Sequence, residues 1–123
     1  MQNLQNQDNR PIKIEVIQGG AVDSVKRFPP IHHESTAQTG ILHKDGVISM
    51  ARSDTGTAAS SFFICINDQP ELDFGGKRNP DGQGFAAFGK VTEGMGVVRK
   101  IYQQPFNGQL FTPKIIIQSI KRK

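Results

Sequence analysis

Disulfide chemistry is closed to this chain, which holds a single cysteine, Cys65, set between Ile64 and Ile66. A lone cysteine flanked by isoleucines reads as a buried thiol rather than a nucleophile. No apolar run approaches the roughly 20 residues that span a bilayer, and no charged start leads into an apolar segment, so neither a membrane helix nor a signal peptide is expected. The compartment stays open: cytoplasmic by default, or secretory if a leader once preceded residue 1. A concentrated basic surface is also lacking. Lys and Arg number 15 against 11 Asp and Glu, but they are scattered apart from Lys121-Arg122-Lys123. Without a basic face interleaved with aromatics, nucleic-acid binding is not expected, and the terminal triplet reads as a solvated tail. His32, His33 and His43 have no cysteine or paired carboxylate at ligand spacing, so they read as surface histidines, with no metal and no cofactor expected. Gly82-Gln83-Gly84 lacks the third glycine and the following helix of a phosphate cradle.

What is present suits one globular domain over residues 1–123, with 36% hydrophobic and 21% charged residues. Residues 1–9 are amide-rich and without period, a loop or frayed end. Ile12, Ile14 and Val16 then alternate with Lys13, Glu15 and Ile17, the period of a strand, and Gly19-Gly20 suggests a turn ending it. Residues 21–44 carry little signal beyond Phe28-Pro29-Pro30, which forces an extended or turning backbone, so they read as a surface excursion. Strands are expected at 47–51, 62–66, 85–91 and 112–120, the last buried on both faces near its middle. A second exposed loop runs over 75–84, with turn chemistry at Asn79-Pro80-Asp81-Gly82. Thr92 is placed to cap a helix running to about Gln103, with Met95, Val98 and Tyr102 on one side and Val97 and Ile101 beside it. Five strands and one helix with turn-rich links indicate a mainly β, antiparallel sheet closing toward a barrel.

Residues 46–66 are the stretch around which the rest is arranged. Two short apolar runs flank a loop of Ser, Thr, Gly and Ala whose side chains are too small to fill space, so large neighbours such as Met50 and Phe63 are positioned to wall a shallow pocket. Ile48-Ser-Met-Ala-Arg52, Ser60-Ser-Phe-Phe-Ile-Cys-Ile66, Leu72-Asp-Phe-Gly-Gly76, Gly84-Phe-Ala-Ala-Phe-Gly-Lys-Val91 and Glu93-Gly-Met95 follow in order, preceded by Val16-Ile-Gln-Gly-Gly20. This series resembles the cyclophilins, from about residue 10 to the end of the chain.

The resemblance implies a closed eight-stranded antiparallel barrel with a helix capping each end. It implies peptidyl-prolyl cis/trans isomerisation that assists protein folding. The partners implied are proline-containing peptides or unfolded chains; the oligomeric state is left open. Phe63 matches the phenylalanine beneath the proline ring, Leu72 the leucine of the pocket wall and Gln18 the glutamine that bonds substrate carbonyl. Val16 stands where the family has an apolar methionine-type residue. Ala51 and Arg52 fall on the strand segment whose backbone pairs with the residues before proline, with Arg52 in place of a commoner asparagine and its contact expected to be mostly main-chain.

Other positions depart from the pattern. Ser61 stands where glutamine is frequent, Glu71 where some members have tryptophan, Phe85 where many have histidine, and Glu15 in place of an aromatic. The family's first hairpin, first helix and Phe-x-Arg strand have no counterpart before Gln18, so a short front end and an incomplete barrel are expected. Family spacing places the catalytic arginine at Arg10, but Asn9-Arg10-Pro11 lacks its flanking phenylalanine and apolar residues. Arg10 therefore reads as a solvated residue of an inserted loop, and as it stands the chain is expected to be a poor isomerase. Beside the isomerase stand two alternatives: a proline-peptide binding module that has lost catalysis, and an unrelated structural β-domain.

Overall fold

The computed structural model describes residues 2–3, 12–20 and 28–123. Among these residues seven short strands, β1 (Gln2–Asn3), β2 (Val16–Gly20), β3 (Val47–Met50), β4 (Ser61–Cys65), β5 (Ala87–Lys90), β6 (Phe106–Asn107) and β7 (Leu110–Phe111), form one sheet in the order β5-β3-β4-β2-β1-β7-β6. Every pairing in it is antiparallel. The helices are α1 (Thr36–Thr39) and α2 (Met95–Tyr102), with a 3-10 turn at Pro70–Leu72. None is long and apolar enough to cross a membrane among the described residues.

Register explains the two cores. Val16 lies opposite Cys65 and Gln18 opposite Phe63, while Ile17 lies opposite Ile64. Because side chains alternate between faces, Val16, Gln18, Phe63 and Cys65 share one face and Ile17 and Ile64 the other. The first face builds a cluster with Ile14, Leu72 and Phe85; the second packs Ile17 and Ile66 against Val98 of α2 and Phe111. On β3, Ser49 faces Phe63 and Met50 faces Phe62.

Several sequence expectations are corrected here. Gly19 and Gly20 do not turn the chain; they pair with Phe62 and Ser61 within β2. Gly20 has φ 120°, and a Cβ there would collide with the Ser60 carbonyl oxygen, so glycine serves a close strand approach rather than a turn. The stretch read as a featureless excursion contains α1, capped by Ser35, whose Oγ accepts from Gln38 N while the Gln38 side chain accepts from Ser35 N. That reciprocal box is legible as Ser-x-x-Gln. Helix α2 starts at Met95 with Gly94, φ 93°, as its cap in place of Thr92, and Val97 is exposed. Gly108 and Gln109 form the turn of the β6–β7 hairpin, closed by the pair Asn107 and Leu110.

The expected final strand is absent. Residues 112–123 enter no ladder, and Ile116 and Ile120 are 75% and 76% exposed. An apolar run becomes a strand only where a neighbouring strand takes up its N–H and C=O groups in register, and among the described residues the strand assignments stop at β7, with Thr112 N donating to Pro105 O at 2.9 Å just beyond it.

Candidate active site

Phe63 and Phe85 meet edge to face, ring centroids 5.4 Å apart at 87°. With Ile14, Val16, Gln18, Arg52, Arg78 and Asn79 they line a cavity of about 170 Å³. That is below the roughly 300–1,000 Å³ of drug-sized ligand sites and suits one small side chain. A second cavity of about 210 Å³ shares Gln18 and Arg52 with the first and is completed by Ala51, Ser61 and the small-residue loop. The two adjoin, giving an apolar recess with a polar trough beside it. A larger hollow of about 950 Å³ lies between Gly20, the β6–β7 hairpin and residues 112–117, and is lined mainly by apolar side chains. None of the expected site residues reaches it.

Behind the recess a buried polar network fixes the Phe63 ring. His43, 1% exposed, stacks on Phe63 with centroids 6.0 Å apart at 17°. Its Nδ1 lies 2.8 Å from Asp73 Oδ1 and its Nε2 2.9 Å from Ser49 Oγ. The carboxylate selects the tautomer: Nδ1–H donates to Asp73 and Nε2 accepts from the Ser49 hydroxyl. Burial lowers the His43 pKa, against the opposing hydrogen bond and charge of Asp73, so the ring sits neutral. Ser49 is wholly buried, which makes the Ser-His-Asp arrangement a structural brace rather than a nucleophile. His43 is thus not a surface histidine. His32 is exposed and His33 half-buried, its Nε2 3.2 Å from the Gln83 carbonyl oxygen.

The mouth of the recess is carried by residues 76–84, which are not simply an exposed loop. Gly76 N donates to Asp73 O at 2.8 Å, Gly75 N to Gly82 O at 2.7 Å and Phe85 N to Leu72 O at 2.9 Å. A Cβ on Gly84 would lie 2.6 Å from the Leu72 carbonyl oxygen, so the loop's exit requires glycine. The expected turn forms, with Gly82 N donating to Asn79 O at 3.2 Å. Held at both ends, the loop turns Arg78 and Asn79 inward, and Arg78 Nη1 donates to the Ile12 carbonyl.

Arg52 acts through its side chain, which is 1% exposed and lies 5.0 Å over the Phe85 ring. Its guanidinium donates to Gly84 O from Nε and Nη2, at 2.9 and 2.6 Å, and to Ser53 O from Nη1 at 2.9 Å. A fork to Asp81, at 3.0 and 3.1 Å, completes the set. Those bonds, Arg52 first, hold the Asp81 carboxyl down at about 2. Beside it, Ala51 N donates to Ser61 O at 3.0 Å across the strands.

Of the remaining expected residues, Val16, Gln18, Phe63 and Phe85 converge on the recess, and Ala51 and Ser61 on the trough. Leu72 is completely buried in the cluster behind them. Met50 lines neither cavity, because strand alternation places it on the face opposite Ser49 and Phe63. Glu15 is exposed, which resolves its carboxylate by solvation, and Arg10 lies outside the described residues. The buried Cys65 thiol, pushed up to about 12 mainly by desolvation, is inert as read. Among the described residues no group of three His, Cys, Asp or Glu gathers to hold a metal ion.

The sheet thus presents an aromatic recess beside a polar trough. The family model described as cyclophilin type peptidyl-prolyl cis-trans isomerase/CLD matches residues 7–122, and the chain belongs to that family. It is 38% identical over 117 residues to peptidyl-prolyl cis-trans isomerase A of Dickeya dadantii (strain 3937), covering 86% of this chain and 58% of that protein. It is 36% identical over 98 residues to peptidyl-prolyl cis-trans isomerase cyp18 of Streptomyces antibioticus, covering 76% and 57%. Against peptidyl-prolyl cis-trans isomerase B of Escherichia coli (strain K12) it is 34% identical over 98 residues, covering 76% and 58%. The chain thus spans a little over half the length of these curated relatives.

Proposed function

We propose that this chain binds proline-containing peptides or unfolded protein segments and accelerates rotation about X-Pro bonds, as part of a closed antiparallel barrel. The observation that carries the reading is the convergence of Phe63, Phe85, Val16 and Gln18 on one small recess. Rotation about the imide faces a barrier of about 18–20 kcal/mol from amide resonance and takes tens to hundreds of seconds unaided. No bond to the protein is required. The proline ring enters between Phe63 and Phe85, Gln18 engages a flanking carbonyl, and the preceding residues lie along the trough between Ala51 and Ser61. Holding both flanks while favouring the twisted imide lowers the barrier, because only interactions stronger in the transition state raise the turnover rate.

Titration with a proline peptide, joined to a protease-coupled or NMR exchange assay, tests the reading. Phe63→Ala is expected to weaken binding by about 2 kcal/mol or more, through lost aromatic contact area. Phe63→Leu, which keeps most of the buried volume, controls for folding. Equal affinity of parent and Phe63→Ala removes the recess from the site. Binding without acceleration selects the alternative of a proline-peptide binding module.

A further inference from the structure

Two loops meet beside the trough on one ion pair. The Arg52 side chain is 1% exposed, and Asp81, its partner from the other loop, is 35% exposed. All five N–H donors of the guanidinium are engaged, by the Gly84 and Ser53 carbonyls and by both carboxylate oxygens of Asp81. Of these acceptors Asp81 alone carries a charge. The carboxylate also accepts from Thr55 Oγ1 at 3.0 Å and from Gln83 N at 2.9 Å, so it stitches the small-residue loop to residues 81–84. With its pKa held at about 2, it stays ionised at neutral pH. Carbonyls can satisfy the hydrogens of a buried guanidinium, but cancelling its field takes an opposite charge.

That cancellation is felt in the trough. Arg52 lines it among small or neutral side chains such as Gln18, Ala51, Thr57 and Ser61, and its volume of about 210 Å³ admits one side chain. Asp54, on the same loop, is exposed and does not line it, while Arg78 lines the adjoining recess. In an extended peptide alternate side chains point the same way, so a proline ring in the recess places the side chain two residues earlier over the trough. We propose that Asp81 determines the sequence preference of this site. By neutralising Arg52 it makes the trough select a small uncharged side chain two residues before the proline, and without it the trough selects a carboxylate. The inference rests on the proline-peptide reading above and names the segments that the site takes. A carboxylate entering the intact trough gives up water for a guanidinium whose donors and charge are already matched, and an ammonium gives up water for no acceptor of opposite charge. With an amide at position 81, one oxygen still accepts from Arg52, but the positive charge is left for the substrate to pair.

The test measures affinity and kcat/KM with peptides that differ only in carrying Ala, Ser, Asp or Lys two residues before the proline. The proteins are the parent, Asp81→Asn, Asp81→Glu and the double variant Arg52→Met/Asp81→Asn. The parent is expected to favour Ala and Ser over both Asp and Lys. Asp81→Asn should move the Asp-to-Ala ratio by about tenfold or more toward Asp, and the gain should shrink in about 0.5 M salt. Asp81→Glu should keep the parent ranking, and the double variant should lose the preference for Asp. A ratio between two peptides on one preparation does not depend on the folded fraction, so a lowered melting temperature cannot mimic the switch. An unchanged ratio in Asp81→Asn overturns the inference, as does a preference for Asp in the parent or one that persists in the double variant. A parent that binds without accelerating removes the isomerase reading, and the affinity ratios then decide the inference on the same terms. A parent that binds none of the peptides removes both.

Discussion

Residues 14–17, Ile-Glu-Val-Ile, and residues 115–117, Ile-Ile-Ile, are both apolar strings, and the second is the more so. In the first, Ile14, Val16 and Ile17 are buried, with β2 bonded to β4 along its length and to β1 beyond. In the second, Ile115 touches the α2 core, while Ile116 is 75% and Ile117 38% exposed. Apolar composition supplies the same driving force to both, about 25 cal/mol per Å² removed from water. The difference lies in the ladder: residues 16 and 17 belong to a strand paired on both sides, whereas residues 115–117 are assigned to no strand, so their apolar surface has no sheet face to share. The recess therefore stands on the part of the chain where ladders and apolar faces coincide.

Truncation in the two regions is the strongest way to sharpen that contrast. Leu72→Ala, in the fully buried cluster behind Phe63, is expected to cost about 3 kcal/mol in denaturant unfolding, through lost transfer energy and the cavity left behind. A cost below about 1 kcal/mol would mean that this cluster is looser than described.

The brace behind the recess gives a smaller, pH-dependent effect. The folded His43 pKa lies below its ordinary value of 6.5, so its contribution is complete above pH 6.5. As pH falls through that value, the unfolded chain binds a proton that the buried ring refuses, and stability declines at up to about 1.4 kcal/mol per pH unit until the folded pKa is reached. Unfolding curves between pH 7.5 and 5.5 should show this slope for the parent and a flatter one for His43→Gln. Equal slopes would show that another group sets the acid response.

The smallest effect is expected in the tail. Ile120→Ser, at a side chain 76% exposed, should change stability by no more than about 0.5 kcal/mol. A loss above about 1 kcal/mol would place Ile120 in a packed setting and remove the contrast with Ile14 and Val16.

The same logic separates what could be read from the sequence. β3 and β4 were legible because short apolar runs bounded by turn residues suit fully buried strands, and Val16, Gln18 and Phe63 followed from motif order. Ile115-Ile116-Ile117 misled because a hydrophobic run says nothing about whether a neighbour offers a ladder. Gly19-Gly20 misled in the other direction, since a glycine pair serves close strand approach as readily as a turn. Arg78 and Asn79 carried no local signal at all. Their inward aim depends on Gly76 and Gly84 pressing the loop against residues 71–73, a contact between segments that no periodicity encodes. Likewise the Arg52 clamp needs Asp81, and the His43 brace needs Asp73, each about 30 residues away along the chain.

The burial of Cys65 has a practical consequence. Alkylating reagents attack thiolates, and a thiol held at about 12 inside the sheet presents almost none at neutral pH. A cysteine introduced in place of exposed Lys77, one residue before Arg78, would therefore be the only position to take a fluorophore. Such a dye would report peptide arrival at the mouth of the recess from a singly labelled chain, with the native cysteine left in place.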